Sequence, residues 1–141
     1  MPFGRFSCWI ACFVVLTLGC GSDPDSLAPV RGKVYFKGSP LKHGSIVFSP
    51  DERRGGRGEM ARAEIQPDGS FLLKTGDRDG AAAGWHRVTI VAVEEVTDPS
   101  GHLDFTEHRS LVPLKYRDPD LSGLDYQVEP GRDNHIDFHL D

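Results

Sequence analysis

The chain has 141 residues, of which 16 are Lys or Arg and 21 are Asp or Glu, giving a formal net charge of −5 at pH 7. That acidic balance, without a basic patch, excludes the nucleic-acid-binding class, whose affinity comes from cations that neutralise phosphates. Sixteen glycines and ten prolines spread along the chain fit many short strands joined by turns rather than helices.

The chain opens with one basic residue, Arg5, and then an apolar stretch over residues 6–18 interrupted only by small or weakly polar side chains. A membrane-spanning helix needs roughly 20 apolar residues. This run is shorter, begins with a positive charge and ends in small residues, which is the pattern of a secretory signal peptide. Its end reads Leu16-Thr17-Leu18-Gly19-Cys20, followed at once by the polar Gly21-Ser22-Asp23-Pro24-Asp25. This resembles the lipobox of bacterial lipoproteins, although Thr17 and Leu18 depart from its commonest residues. The resemblance implies cleavage before Cys20, a diacylglycerol on its sulfur (a palmitate-type anchor) and acylation of the new amine. Cys8 and Cys12 would leave with the signal, so Cys20 would be the sole thiol of the mature chain and no disulfide could form within it. Two or more acyl chains give stable anchoring. Gly21, in place of the aspartate that retains many such proteins at the inner membrane, favours the outer membrane. The expected divisions are a signal peptide at 1–19, a flexible tether at 20–29 and one domain at 30–141.

Within the domain, 30–36 is a strand of β-branched and aromatic residues closed by Lys37-Gly38-Ser39-Pro40. A second strand, 45–48, stops at Pro50, and the charged, glycine-rich 51–58 reads as an exposed loop. Residues 61–65 and 71–75 form a hairpin about Pro67-Asp68-Gly69, where glycine takes positive φ at no steric cost. Residues 77–84 form a loop. Residues 85–95 carry apolar side chains on both faces and read as a central strand buried on both sides. The polar stretch 97–113 is long for a connection, which marks it as functional or mobile. Residues 111–116 return the chain to the domain, and 123–128 with 134–140 make a last hairpin turning at Pro130-Gly131. In the final strand Ile136, Phe138 and Leu140 alternate with Asp137, His139 and Asp141, giving one wet face.

Seven such strands argue for an all-β sandwich. The segments Val30-Arg31-Gly32-Lys33-Val34, Gly44-Ser45-Ile46-Val47-Phe48, Pro67-Asp68-Gly69-Ser70-Phe71 and Ile136-Asp137-Phe138-His139-Leu140 resemble those of carboxypeptidase-regulatory-like domains. That resemblance implies a transthyretin-like (prealbumin-like) seven-stranded Greek-key sandwich. Its motifs are turns and core positions, which identify a fold better than an activity. Hydroxyisourate hydrolase shares this architecture and ends in Tyr-Arg-Gly-Ser. Here Tyr116-Arg117 continues as Asp118-Pro119 and the chain ends His139-Leu140-Asp141, so the signature is missing and no enzyme activity is expected.

The histidines and acidic turns are the residues that metal chemistry would use. His135 and His139 are four apart, a zinc spacing on a helix, but on a strand they stand about 13 Å apart at roughly 3.3 Å per residue. His102 and His108 could converge in their loop without a third ligand. Asp77-Arg78-Asp79-Gly80 and Asp118-Pro119-Asp120 offer too few oxygens for calcium, which takes six to eight. No catalytic residue, metal or cofactor is therefore expected. Two readings of function follow. One is a non-catalytic binding or structural module of the cell envelope, held by membrane lipid through Cys20 and meeting an envelope protein or glycan through its loops. The other is a carbohydrate-binding accessory using Trp85 or Tyr116 as a stacking platform.

Overall fold

The computed structural model describes residues 26–96 and 107–141. The signal segment, Cys20 and His102 lie outside the described residues. In chain order the strands are β1 (Leu27–Ala28), β2 (Val30–Phe36), β3 (Ser39–Pro40), β4 (Ser45–Pro50), β5 (Ala61–Glu64), β6 (Ser70–Leu72) and β7 (Lys74–Thr75). They continue with β8 (Arg78–Asp79), β9 (Ala81–Ala82), β10 (Gly84–Val91), β11 (Val93–Val96), β12 (Glu107–Ser110), β13 (Asp125–Val128) and β14 (Asn134–Leu140). Two single 3-10 turns, Glu52–Arg54 and Leu114–Arg117, are the helical elements among the described residues. The protein is all-β.

Two large sheets carry the core. One runs β13-β10-β4-β5-β7-β8; the other holds β14-β2-β3, with β6 also on β2. Their inner faces follow from period-two alternation. Ile46 and Phe48 of β4 and Val88 and Ile90 of β10 point inward from the first sheet, and Val34, Phe71, Phe138 and Leu140 from the second, all 4% exposed or less. Phe138 bridges them, lying edge-on to Phe48 at 6.0 Å between ring centroids and tilted against Phe71 at 6.3 Å. Each large apolar side chain buried this way stabilises the fold by about 1.5–3 kcal/mol. Val112 and Tyr116 join the same cluster, so residues 111–116 do pack back onto the domain.

The first and last long strands lie side by side: β2 and β14 pair in parallel over seven registers, from Val30 opposite Asn134 to Phe36 opposite Leu140. At their middle, a Cβ on Gly32 would fall inside the van der Waals radius of the Ile136 carbonyl oxygen. Beside this close approach, Lys33 N donates to the side chain of Asp137 at 2.9 Å.

The first expected hairpin forms but is interrupted: it closes at Gln66 N to Ser70 O, 2.8 Å, and again where Arg62 lies opposite Lys74, with a change of sheet between; the second is replaced by a change of sheet. After the Pro67-Asp68-Gly69 turn, β6 pairs with β2 rather than with β5, and only at β7 does the chain rejoin β5, through the single register Arg62–Lys74. Leu73, fully buried, makes the corner: its N–H donates to Val30 O at 2.9 Å and its carbonyl accepts from Gly80 N at 2.8 Å. Likewise β13 pairs with β10 in one sheet while β14 pairs with β2 in the other, so 129–133 is a crossover. Buried Asn134 clasps that crossover. Its Oδ1 accepts from Glu129 N at 2.8 Å and its Nδ2 donates to the carbonyls of Glu129 and Arg132, each at 3.0 Å. In each case hydrophobic burial on two opposed faces outweighs the local turn preference.

Two further expectations shift. The strand expected at 85–95 breaks at Ala92 into β10 and β11; β10 is central, between β13 and β4, but only its inner face is buried and its outer face is half-buried. The folded part also begins before Val30: β1 pairs with β9, and Ala28 is 2% exposed, so 27–29 belong to the domain rather than to a tether.

The contact at Gly32 generates a direct test. Gly32→Ala is expected to destabilise the fold by roughly 3 kcal/mol or more, because backbone rather than a flexible side chain must give way. Gly38→Ala, with open space around it, should cost about 1–2 kcal/mol from its left-handed φ alone. Urea unfolding of the two variants checks the difference.

Candidate functional site

The loop after β4 is tied down by one carboxylate. Pro50 ends the strand, and Asp51 caps the Glu52–Arg54 turn, its Oδ1 accepting from Arg53 N at 3.2 Å. Its other oxygen accepts from Arg54 Nε at 2.7 Å and lies 3.5 Å from Arg87 Nε on β10. The backbone of this loop is fixed to the same strand: Asp51 N donates to Trp85 O and Gly56 N to Asp51 O, both at 2.8 Å. The remainder of 51–58, apart from buried Gly56, is exposed as expected.

From Asp51 the charges alternate outward. Arg54 reaches Asp125 Oδ2 at 2.9 Å and lays its guanidinium 4.3 Å over the Trp85 ring, and Arg87 pairs with Asp120. Three segments remote in sequence thus meet at one end of β10: the 51–58 loop, the outer face of the strand and residues 118–125. The two arginines hold the Asp51 carboxyl below its ordinary value, Arg54 contributing most through its hydrogen bond. Asp51 is 6% exposed while its outer partners are open to solvent. Exposed pairs add little to stability, whereas removing one partner of a buried charge leaves the other uncompensated. The cluster holds a loop in place. It contains no paired nucleophile and base.

The other residues singled out from the sequence are dispersed. Tyr116 is buried, with its hydroxyl on Asp141. Trp85 is half-buried, with Arg54 across its ring. His135 and His139 both lie on the wet face of β14: His135 Nε2 is 3.4 Å from Asp137 Oδ1, and His139 stacks on Tyr35 at 4.8 Å. His108 is exposed on β12. Asp118 takes up a local turn, accepting from Asp120 N at 2.7 Å, and Asp79 sits on β8 opposite Lys74. Among the described residues no three His, Cys, Asp or Glu side chains gather as metal ligands would.

One residue of consequence, His86, drew no attention in the sequence. It is fully buried, two positions before Val88 on the inner face of β10, a placement the period-two alternation already implies. Its Nδ1 lies 3.0 Å from Gly84 O and so donates the proton, while Nε2, beside the Phe48 ring 5.8 Å away, has no hydrogen-bond partner among the described residues. Burial holds its pKa below the ordinary 6.5, so the ring is neutral in the folded protein.

Asp51 and His86 act on successive parts of the acid limb of one pH profile. His86 protonates first in the unfolded chain, so its contribution is complete above about pH 6.5 and is lost as pH falls towards the lower folded-state pKa. His86→Leu should flatten that limb in urea titrations between about pH 7 and 5. Asp51, with a depressed pKa, contributes above about pH 3.8 and loses that contribution as pH falls through its folded value. Asp51→Asn should lower the Tm at neutral pH and narrow its difference from wild type in acid, as followed by circular dichroism.

Compared with known proteins, the chain matches no family model, no curated protein and no solved structure at a significant level.

Proposed function

We propose that this protein is a bacterial envelope lipoprotein: a signal peptide is removed before Cys20, that cysteine is acylated, and the β-domain acts at the membrane surface as a non-catalytic binding or structural module. The observation that carries this reading is the coincidence, within one short stretch, of an apolar run, Gly19, the sole cysteine beyond the signal and an abrupt polar sequence. The fold adds a distance. Only residues 21–26 separate Cys20 from β1, and six residues span at most about 20 Å when fully extended. On this reading the domain is held close against the lipid headgroups.

The two face-to-face sheets, with crossovers at Leu73 and at 129–133, support the finer assignment to a transthyretin-like Greek-key sandwich of the carboxypeptidase-regulatory-like kind. The non-catalytic role is supported by how the conspicuous polar groups are used: Asp51, Arg54, Arg87, Asp120 and Asp125 are spent on one another. The glycan-stacking reading has less behind it. One ring it needs, Tyr116, is buried, and the other, Trp85, is covered by a guanidinium.

Palmitate labelling in a bacterial host tests the anchor. The native chain should take up label and fractionate with membranes, and Cys20→Ser should do neither. An unlabelled native chain with an unmodified amino terminus would defeat the proposal.

A further inference from the structure

β14 ends its sheet, with β2 as its only strand neighbour among the described residues. Three contacts fix which of its backbone groups that neighbour uses. Asn134 N donates to Pro29 O at 2.8 Å, the Ile136 carbonyl lies against Gly32, and Leu140 O accepts from Lys37 N at 2.9 Å. The even-numbered residues therefore face β2, and the N–H and C=O groups of His135, Asp137 and His139 turn to the outer edge of the sheet. Both ends of the strand are finished locally. The Asn134 side chain clasps 129–133, and Asp141 N donates to the Tyr116 hydroxyl at 3.2 Å. Between them runs an edge of ordinary strand length.

The side chains along this edge alternate in character. His135, Asp137 and His139 share the exposed outer face, and Asp133 just precedes them. Charges of one sign blunt a strand edge against pairing. Carboxylates alternating with histidines, which are cationic in mild acid and N–H donors when neutral, are instead their own complement when the strand is reversed. Antiparallel pairing of two copies about Asp137 would set carboxylate against carboxylate, which is unfavourable. Pairing about Phe138 would use His139, already stacked on Tyr35, and would reach Asp141, already held by Tyr116. Pairing about Ile136 sets His135 of each copy opposite Asp137 of the other. Both are residues whose backbone faces outward, so each such pair would exchange both ladder bonds. Half-buried Ile136 would meet its own copy on the inner face. Arg31, opposite His135 on β2, is engaged by Asp133.

We propose that β14 is a self-association edge: two copies of this chain pair antiparallel about Ile136, joining their β14-β2 sheets into one continuous sheet across a two-fold axis. His135 and Asp137 from each copy then close into one cluster on the outer face of that sheet. A second copy is favoured over a foreign strand because the complement of this alternation is the same alternation. One strand edge is a small interface, so the pairing is expected to depend on concentration. It needs neither the lipid anchor nor another protein.

The test uses the full chain carrying Cys8→Ser, Cys12→Ser and Cys20→Ser, in a density-matched detergent, so that its outcome is separate from acylation. Sedimentation equilibrium at about pH 6 should show monomers and dimers in exchange. His135→Glu, which sets like charges opposite each other, should weaken dimerisation at least about tenfold. His135→Lys should preserve it, and His108→Glu, at an exposed histidine elsewhere, should leave it unchanged. Under mild oxidation Ile136→Cys in the same background should give a disulfide-linked dimer, since facing residues at a non-hydrogen-bonded site lie about 4.5 Å apart between Cα atoms. His139→Cys, six residues out of register with its counterpart and so roughly 20 Å from it, should not. His135 is exposed, so the variants there test the edge even where Ile136→Cys disturbs the fold. A chain that stays monomeric at about 1 mM, association indifferent to His135→Glu, or cross-linking through His139→Cys as complete as through Ile136→Cys would overturn the proposal.

Discussion

The burial of Leu73 between two sheets is the constraint on which the rest of this architecture turns. Its N–H belongs to β2 and its carbonyl to Gly80, so the residues on either side are committed to different sheets. Full burial of a leucine contributes a few kcal/mol, more than a single ladder bond is worth net. The chain therefore gives up continuous pairing between β5 and 70–75 to keep that side chain in the core. The interruption falls between the Gln66–Ser70 bond and the Arg62–Lys74 register, a local break in the hairpin produced by core packing.

Electrostatics acts at two depths in this molecule. Most ion pairs, such as Lys33–Asp68 and Arg109–Glu94, lie on the surface, where solvent screens them. Asp51 differs because its carboxylate is enclosed while Arg54, Arg87 and the Arg53 amide converge on it. It joins a loop to the middle strand of a sheet and thereby orients Trp85. His86, one turn of alternation away on the opposite face of β10, contributes by staying neutral. One strand thus presents a charge cluster outward and an uncharged imidazole inward, and the pleat keeps them apart.

The proposed anchor would separate location from recognition. Acyl chains would supply location without specificity, since each buried methylene contributes about 0.8 kcal/mol whatever the protein attached. Recognition would then fall to the domain.

The sequence by itself determined what depends on neighbours along the chain. The strands at 30–36 and 45–48 were legible from their β-branched and apolar residues, the alternation in 134–140 because the pleat has period two, and the turn at Pro67-Asp68-Gly69 because Gly69 must take positive φ. The signal-like start and Cys20 are likewise local patterns. Which strand lies beside which was not legible. The 61–65 and 71–75 segments, and the 123–128 and 134–140 segments, read as hairpins because short links favour antiparallel neighbours. In the folded protein 123–128 and 134–140 are split between sheets, and 70–72 leaves its hairpin partner for the other sheet before 74–75 rejoins it, because residues distant in sequence (Phe48 with Phe138, Leu73 with Val30) gain more by burying each other. The Asp51 cluster and the neutral burial of His86 are both products of that non-local choice, and a linear pattern of residue types carries no record of it.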